Sequence, residues 1–286
     1  MQDKLFRSVP TATLLRTPRK LPPKTPLEKY VLENLPAQIR LHSNDKLPLE
    51  DIAASQQQLL SSEGARIKAI SDLSAAREVQ LDLVMMLGVY LLLRDRAFTV
   101  APPILLELLE TNAGRHAITK RMTYELIVDV NTEAFLRTNG QIRIFSYGDI
   151  GLIERDFYIG HHFAEKHIKD AYEMLREVVQ EPGLPNKTER LQAVLTGLQE
   201  FTKYMAIFAH LKPDAYAYFR RFLVPYPDKV KNGSGAFMPS PQLFEMLLHK
   251  PGYAQTQHVT TNEQYFSQWA QPLLHSQREA AEGGQT

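Results

Sequence analysis

Between residues 191 and 208 the apolar side chains Leu191, Val194, Leu195, Leu198, Phe201, Met205 and Phe208 recur at intervals of three and four. That spacing lines one face of an α-helix and is incompatible with the two-residue repeat of a strand. It predicts an amphipathic helix of about six turns, opened by Pro185, Asn186 and Thr188 and closed ahead of Pro213. The same periodicity predicts helices over 28–36, 49–61, 65–94, 103–111, 117–131, 149–180, 213–223, 240–249 and 261–281. One stretch reads differently. In 141–147, Ile142 and Ile144 alternate with Arg143 after the turn signal Asn139-Gly140, so a short edge strand is expected there, with no sheet around it. The fold class is all-α.

The longest apolar run, Val79 to Leu93, contains Asp82 and is bracketed by Glu78 and Arg94. It is too short and too interrupted for the roughly 20 residues of a membrane span, and reads as a buried core helix. With 33 Lys+Arg against 32 Asp+Glu, the chain lacks the basic excess that points to nucleic acid. It has no cysteine, which excludes disulfides, thiolate-held metals and a cysteine nucleophile. Residues 1–27 collect Lys4, Arg7, Arg16, Arg19, Lys20 and Lys24 among prolines with no apolar stretch, the composition of an arm rather than of a secretory signal. A cytoplasmic protein is expected, organised as that arm, a small helical domain over 28–140 and a larger helical domain over 141–286.

Three histidines fall within seven residues in Tyr158-Ile-Gly-His161-His162-Phe-Ala-Glu165-Lys-His167, inside one predicted helix. Helical spacing puts Tyr158, His161, His162 and Glu165 on one face, so Tyr158, His161 and Glu165 are candidates to line one pocket; structural histidines at a helix interface are the alternative. The chain contains no Glu-x-x-His and no His-Glu-x-x-His, which argues against a di-metal bundle or a zinc-hydrolase helix. In Tyr216-Ala-Tyr218-Phe-Arg220-Arg221-Phe, two arginines sit among aromatics. A guanidinium in that setting can clamp a carboxylate with two hydrogen bonds, although paired arginines are also common on solvated faces. Gly233-Ser234-Gly235 lacks the frame of a nucleophile elbow or a phosphate loop and reads as a tight turn.

In order and spacing these stretches resemble the haem-dependent indoleamine 2,3-dioxygenase family, whose superfamily includes tryptophan 2,3-dioxygenase and the monodechloroaminopyrrolnitrin synthases. The likeness begins at Leu32-Glu-Asn-Leu-Pro36, Ala75 to Leu93 and Met122-Thr-Tyr124 to Asn131. It strengthens at Ile144-Phe-Ser-Tyr-Gly-Asp149 and Asp156-Phe-Tyr-Ile-Gly-His161-His-Phe-Ala-Glu165. From there it continues through Leu191 to Phe208, His210-Leu-Lys-Pro213, Phe219-Arg-Arg-Phe-Leu223 and Gly233-Ser-Gly-Ala-Phe-Met-Pro-Ser-Pro-Gln-Leu-Phe-Glu-Met-Leu-Leu248, covering about two hundred residues.

The resemblance implies haem b as cofactor, dioxygen as co-substrate and a small aromatic amino acid or indole as substrate. His161 matches the distal residue of the family, Phe157-Tyr158 the aromatic pair beside it, and Tyr124 and Tyr216 aromatic positions of the pocket. Arg220, or Arg221 if the count runs from Pro213, matches the arginine that holds the substrate carboxylate. Gly233 and Ser234 match the loop over the haem. The implied reaction opens the indole ring of L-tryptophan or a related amine to an N-formylkynurenine-type product; the cofactor carries the oxygen chemistry and the protein supplies position and polarity. The family's proximal histidine lies on a helix well downstream of the glycine-serine loop, whereas this chain ends 52 residues after Ser234. The C-terminal domain is therefore expected to lack that helix, leaving His275 as the candidate axial ligand. Two other readings stay open: a haem oxygenase of the same superfamily acting on another aromatic amino acid, and a shortened, inactive homologue serving as a binding scaffold.

Overall fold

A computed structural model of the chain describes residues 23–92, 99–120, 122–138, 141–181, 183–206, 208, 211, 213–220, 240–241 and 243–244. The fold is all-α. Helix α1 (Pro26–Lys29) runs through a π-helical turn (Tyr30–Asn34) into α2 (Leu35–Ser43), and is followed by α3 (Leu49–Ala69), α4 (Leu73–Leu92) and α5 (Pro103–His116). A second π-helical turn (Glu125–Val130) leads into α6 (Asn131–Thr138), then the long α7 (Gly148–Gln180), α8 (Lys187–Met205) and α9 (Pro213–Arg220). No helix among the described residues is long and apolar enough to cross a membrane.

Local chemistry sets the boundaries. The Thr25 hydroxyl accepts the Glu28 N–H at 3.0 Å and opens α1. Pro36 has no N–H to give to the carbonyl four residues back, and the preceding turn widens so that the Leu35 N–H reaches Tyr30 O instead. The single helix predicted over 65–94 is two, because Asp72 caps the second by accepting the Ala75 N–H at 2.7 Å. The helix predicted from 117 starts seven residues later. α5 overruns to His116 and ends with Ala117 in the left-handed region at φ 52°.

Helix α4 lies at the centre, with every residue from Leu81 to Tyr90 buried. Its polar groups are all answered. The Gln80 amide donates to Thr119 O at 3.0 Å, Asn112 donates to Gln80 at 2.8 Å and to Ala76 O at 2.9 Å, and Tyr90 donates to Gln56 at 2.9 Å. The apolar core around it is continuous from Leu27 to Phe219, across residue 140. A smaller cluster joins Ile168, Tyr172 and Leu175 of α7 to Val194 of α8 and to Leu243 and Phe244. On α8 the predicted apolar face is narrower than its seven residues. Val194 is buried and Leu198 and Phe201 pack inward, but Leu191 and Leu195 are exposed, Leu195 by 52%.

The expected strand over 141–147 is not formed, and its backbone is satisfied by side chains. Asn131 both accepts the Arg143 N–H at 2.9 Å and donates to Arg143 O at 2.8 Å. The Glu154 carboxylate accepts from Phe145 N–H at 3.0 Å and from Ser146 N–H at 2.8 Å. These bonds replace a strand ladder. Arg143, 1% exposed, pins the strap by donating to Asp82 at 2.5 Å, with Glu28 and Glu78 at 3.5 and 3.8 Å.

Breaking a buried ion pair from one side leaves uncompensated charge, so Arg143→Leu should cost about 3–5 kcal/mol in urea unfolding, and the double change Arg143→Leu/Asp82→Leu should recover part of that loss. Ala117→Gly, which relieves a left-handed alanine at an exposed position, should raise stability by about 1 kcal/mol in the same assay.

Candidate functional site

The candidate site forms where α7 meets the second π turn, α9 and the residues that follow α8. Phe157 and His161 lie one turn apart on α7 and point the same way. The imidazole of His161 packs in tilted contact with Phe157, with ring centroids 4.1 Å apart, and with Phe208, at 4.2 Å. The Tyr124 ring stands edge-on at 6.0 Å, and its hydroxyl donates to the His161 carbonyl at 2.8 Å. Phe157 in turn meets Phe208, Phe219 and Tyr216 at 5.2, 5.1 and 5.6 Å. Ring pairs at these separations are the favoured tilted and edge-to-face kind.

His161 is 3% exposed. Its Nδ1–H donates to the Phe157 carbonyl at 2.9 Å, an acceptor that admits only the Nδ1-protonated tautomer. Burial among aromatics lowers the imidazole to about 4, against the raising influence of that carbonyl. The group at the centre of the cluster is therefore a neutral imidazole at physiological pH, with its lone pair on Nε2.

Four of the residues singled out in the sequence, Tyr124, Phe157, His161 and Tyr216, come together here. Arg220 reaches the rim, its guanidinium 5.3 Å from the centroid of the Tyr216 ring. Tyr158 does not join. It is fully buried on another side of α7 and donates to Glu154 at 2.7 Å, where it supports the carboxylate that grips the strap. Glu165 is tied to Ser240, and after burial its charge is the next cause that raises the Tyr124 hydroxyl of the cluster well above its ordinary value. The three histidines have three environments: His161 sits among rings, His162 donates through Nδ1–H to Asp129 at 3.0 Å, and His167 stacks on Tyr204 at 5.4 Å. Arg221, Gly233, Ser234 and His275 lie outside the described residues, as does the expected helix over 261–281. Among the described residues no group of three His, Asp or Glu side chains could hold a metal ion.

Phe208, read in the sequence only as part of an apolar helix face, and Ser240, the partner of Glu165, are the parts of this region that the sequence reading did not bring together with the site. Glu165 is 4% exposed; its Oε1 accepts the Ser240 N–H at 3.0 Å, tying Ser240 to α7. Burial pushes the carboxyl up to about 8, Asp129 adds to the rise, and Ser240 and Lys169 oppose it. No family model matches the chain, and no curated protein matches it.

The Glu165 shift fixes a sign for the pH dependence of stability. The folded state holds a proton that the unfolded chain has released, so this group's contribution is full below about 4.5 and is lost as pH rises towards about 8. Thermal melts should show Glu165→Gln gaining on the wild type as pH rises from 5 to 8.5. A difference independent of pH would mean that the carboxyl is ionised throughout. His161 runs in the opposite sense, its stabilising neutral form being lost as pH falls from about 6.5 towards 4.

Proposed function

We propose that this chain is a haem-dependent oxygenase of the indoleamine 2,3-dioxygenase type, acting on L-tryptophan or a related indole amine with dioxygen as co-substrate. The observation that carries the reading is the neutral, Nδ1-protonated imidazole of His161 inside a cage of Tyr124, Phe157 and Phe208, with an arginine at the rim of the same cluster. The donor chemistry on this side suits a haem-bearing pocket. Among the described residues the surroundings of His161 are aromatic, and its own imidazole is uncharged.

When bound, haem supplies the dioxygen chemistry. The chain's own residues account for the rest. Arg220 offers a planar, permanently charged fork to the substrate carboxylate, and the Tyr216 face beneath it steadies the guanidinium by a cation–π contact. Phe157, Phe208 and Phe219 pack on one another and keep water from the imidazole. His161, whose proton is committed to the Phe157 carbonyl, has its Nε2 lone pair available to accept a hydrogen bond from an indole N–H. Tyr124 holds the His161 carbonyl and thereby the phase of the helix at that residue.

Absorption spectra of the full chain with haem supplied, taken in ferric, ferrous and ferrous-CO forms, test this. The expected result is a stoichiometric Soret band that shifts when L-tryptophan is added. Arg220→Ala should weaken that response by about tenfold to a hundredfold, the loss of a charge-assisted bidentate contact of about 1.5–3 kcal/mol, without loss of the band. A chain that retains no haem overturns the proposal. A band indifferent to L-tryptophan but shifted by another aromatic amino acid changes the substrate and keeps the class.

A further inference from the structure

Ser240, Leu243 and Phe244 are buried against α7, far from it in sequence. Leu243 and Phe244 share an apolar cluster with Ile168, Tyr172 and Leu175 of α7 and Val194 of α8, contacts that are indifferent to pH. The contact at Ser240 is of another kind. Its N–H donates to Glu165 Oε1 at 3.0 Å, and its hydroxyl bonds the same carboxyl. Glu165, Ile168 and Tyr172 follow at intervals of three and four, so one face of α7 carries both the polar and the apolar parts of this seat.

The charged groups around Glu165 come from several elements. Asp129 of the second π turn opposes its ionisation, and Lys169, one turn further along α7, favours it. A charge on Glu165 would in turn act against ionisation of the Tyr124 hydroxyl. The other charges nearby answer one another: His162 donates to Asp129 at 3.0 Å, Arg77 of α4 pairs with Glu125 at 3.0 Å, and Lys166 pairs with Asp170 at 3.5 Å. Glu133 of α6 adds negative charge on the side of Asp129. A carboxyl withdrawn from water and facing another acid keeps its proton, and the two bonds from Ser240, which favour the ion, do not outweigh burial. Once the proton is lost, the anion is left under Ser240, and separation of Ser240 from α7 lets water reach it.

We propose that the contact between Ser240 and Glu165 is a proton-operated latch: a neutral carboxyl keeps Ser240 seated on α7, and ionisation of that carboxyl favours a local opening at Ser240 while the rest of the fold stays intact. The sign follows from linkage. Seated, the carboxyl holds its proton up to about 8; opened to water, it returns to the ordinary 4.5. Opening therefore releases a proton between those values, and the open form gains about tenfold per pH unit across that range and no more beyond it. The latch is tightest in acid. Leu243 and Phe244 supply the part of the seat that pH does not change. Neither haem nor substrate is needed for this behaviour.

Hydrogen exchange of the full chain, read at single amides by NMR between pH 5 and 8, tests the proposal. Protection of the Ser240 N–H, corrected for the intrinsic rate, should fall by about tenfold per pH unit in the wild type. It should stay level in Glu165→Gln, whose side-chain oxygen still accepts from Ser240 and never ionises. The Met85 N–H, in the buried centre of α4, should be better protected throughout, because it exchanges when the whole fold opens. The carboxyl-carbon resonance of Glu165 should titrate at about 8 in the wild type, a reading that needs no variant. A level profile at Ser240 in the wild type overturns the latch, as does an equal fall in Glu165→Gln. So does equal protection at Ser240 and Met85, which makes the opening global, or a Glu165 resonance that titrates at the ordinary 4.5.

Discussion

A guanidinium taken out of water in the middle of a helical core is tolerable only if its charge and its donors are met there. Arg143 is met by Asp82 at 2.5 Å, with Glu28 and Glu78 close behind. The three acids come from α1 and α4, whereas the arginine belongs to the irregular strap ahead of α7. The pair thus ties the amino-terminal helices to the carboxy-terminal ones. Once Arg143 is held, the strap has one position, and its backbone N–H groups at Phe145 and Ser146 present a fixed target to Glu154 in the second turn of α7. Gly151 completes the seat. A Cβ there would lie 2.9 Å from Ile144 Cδ1 and 3.1 Å from Ser146 O, so only glycine lets the helix come this near. The rotation of α7 about its axis follows from these contacts, and with it the direction in which Phe157 and His161 point.

The aromatic cluster depends on a second close approach, between α7 and α8. At Gly197 a Cβ would meet Ala171 Cβ at 2.9 Å and His167 O at 3.0 Å. Without a side chain at that crossing the two helices touch backbone to side chain. Beyond the crossing, Tyr204 reaches Phe163 and His167, and Phe208 closes on His161. The imidazole's neutrality follows from this packing, since two tilted rings with centroids at about 4 Å leave little solvent to stabilise a charge, and the hydrogen-bond partner of Nδ1 is a carbonyl, which takes the proton of the neutral form.

Much of this was legible in the residues. The three-and-four spacing of apolar side chains marks the helical segments described here, whereas the grouping of Tyr124, Phe157, His161 and Tyr216 was only what the resemblance to the dioxygenase family implied; helical spacing by itself pointed to Tyr158, His161 and Glu165. What escaped was decided by single polar side chains that bond to backbone groups. Asp72 looks like any loop aspartate until its carboxylate meets the Ala75 N–H. Alternation in Ile142, Arg143 and Ile144 has the period of a strand, but Asn131 and Glu154 supply the hydrogen bonds that a neighbouring strand would have supplied. One signal could have been used. An acid such as Asp82, isolated in a run of apolar residues that periodicity assigns to the core, requires a buried cation, and Arg143, set between two isoleucines, was the candidate. Exposure of Leu191 and Leu195 had no such signal, because the width of a buried stripe depends on what packs against it.

Helix α7 therefore serves two environments at once. On one face His161 is kept uncharged by ring contacts. A residue further on, His162 donates to Asp129 and opens onto a cleft of opposed charges that contains Glu165. Both faces rest on the same anchoring at Glu154 and Gly151, and a slip of one residue, about 100° of rotation in a helix of 3.6 residues per turn, would take both histidines off the faces they now serve. A slip that brings His162 to the place of His161 takes it away from Asp129 and carries His161 on to the place of Gly160, away from Phe208. The strap and its buried arginine consequently do more than close the core. They decide which of two adjacent histidines is a neutral ring in an apolar cage and which is an acid's partner beside a polar cleft.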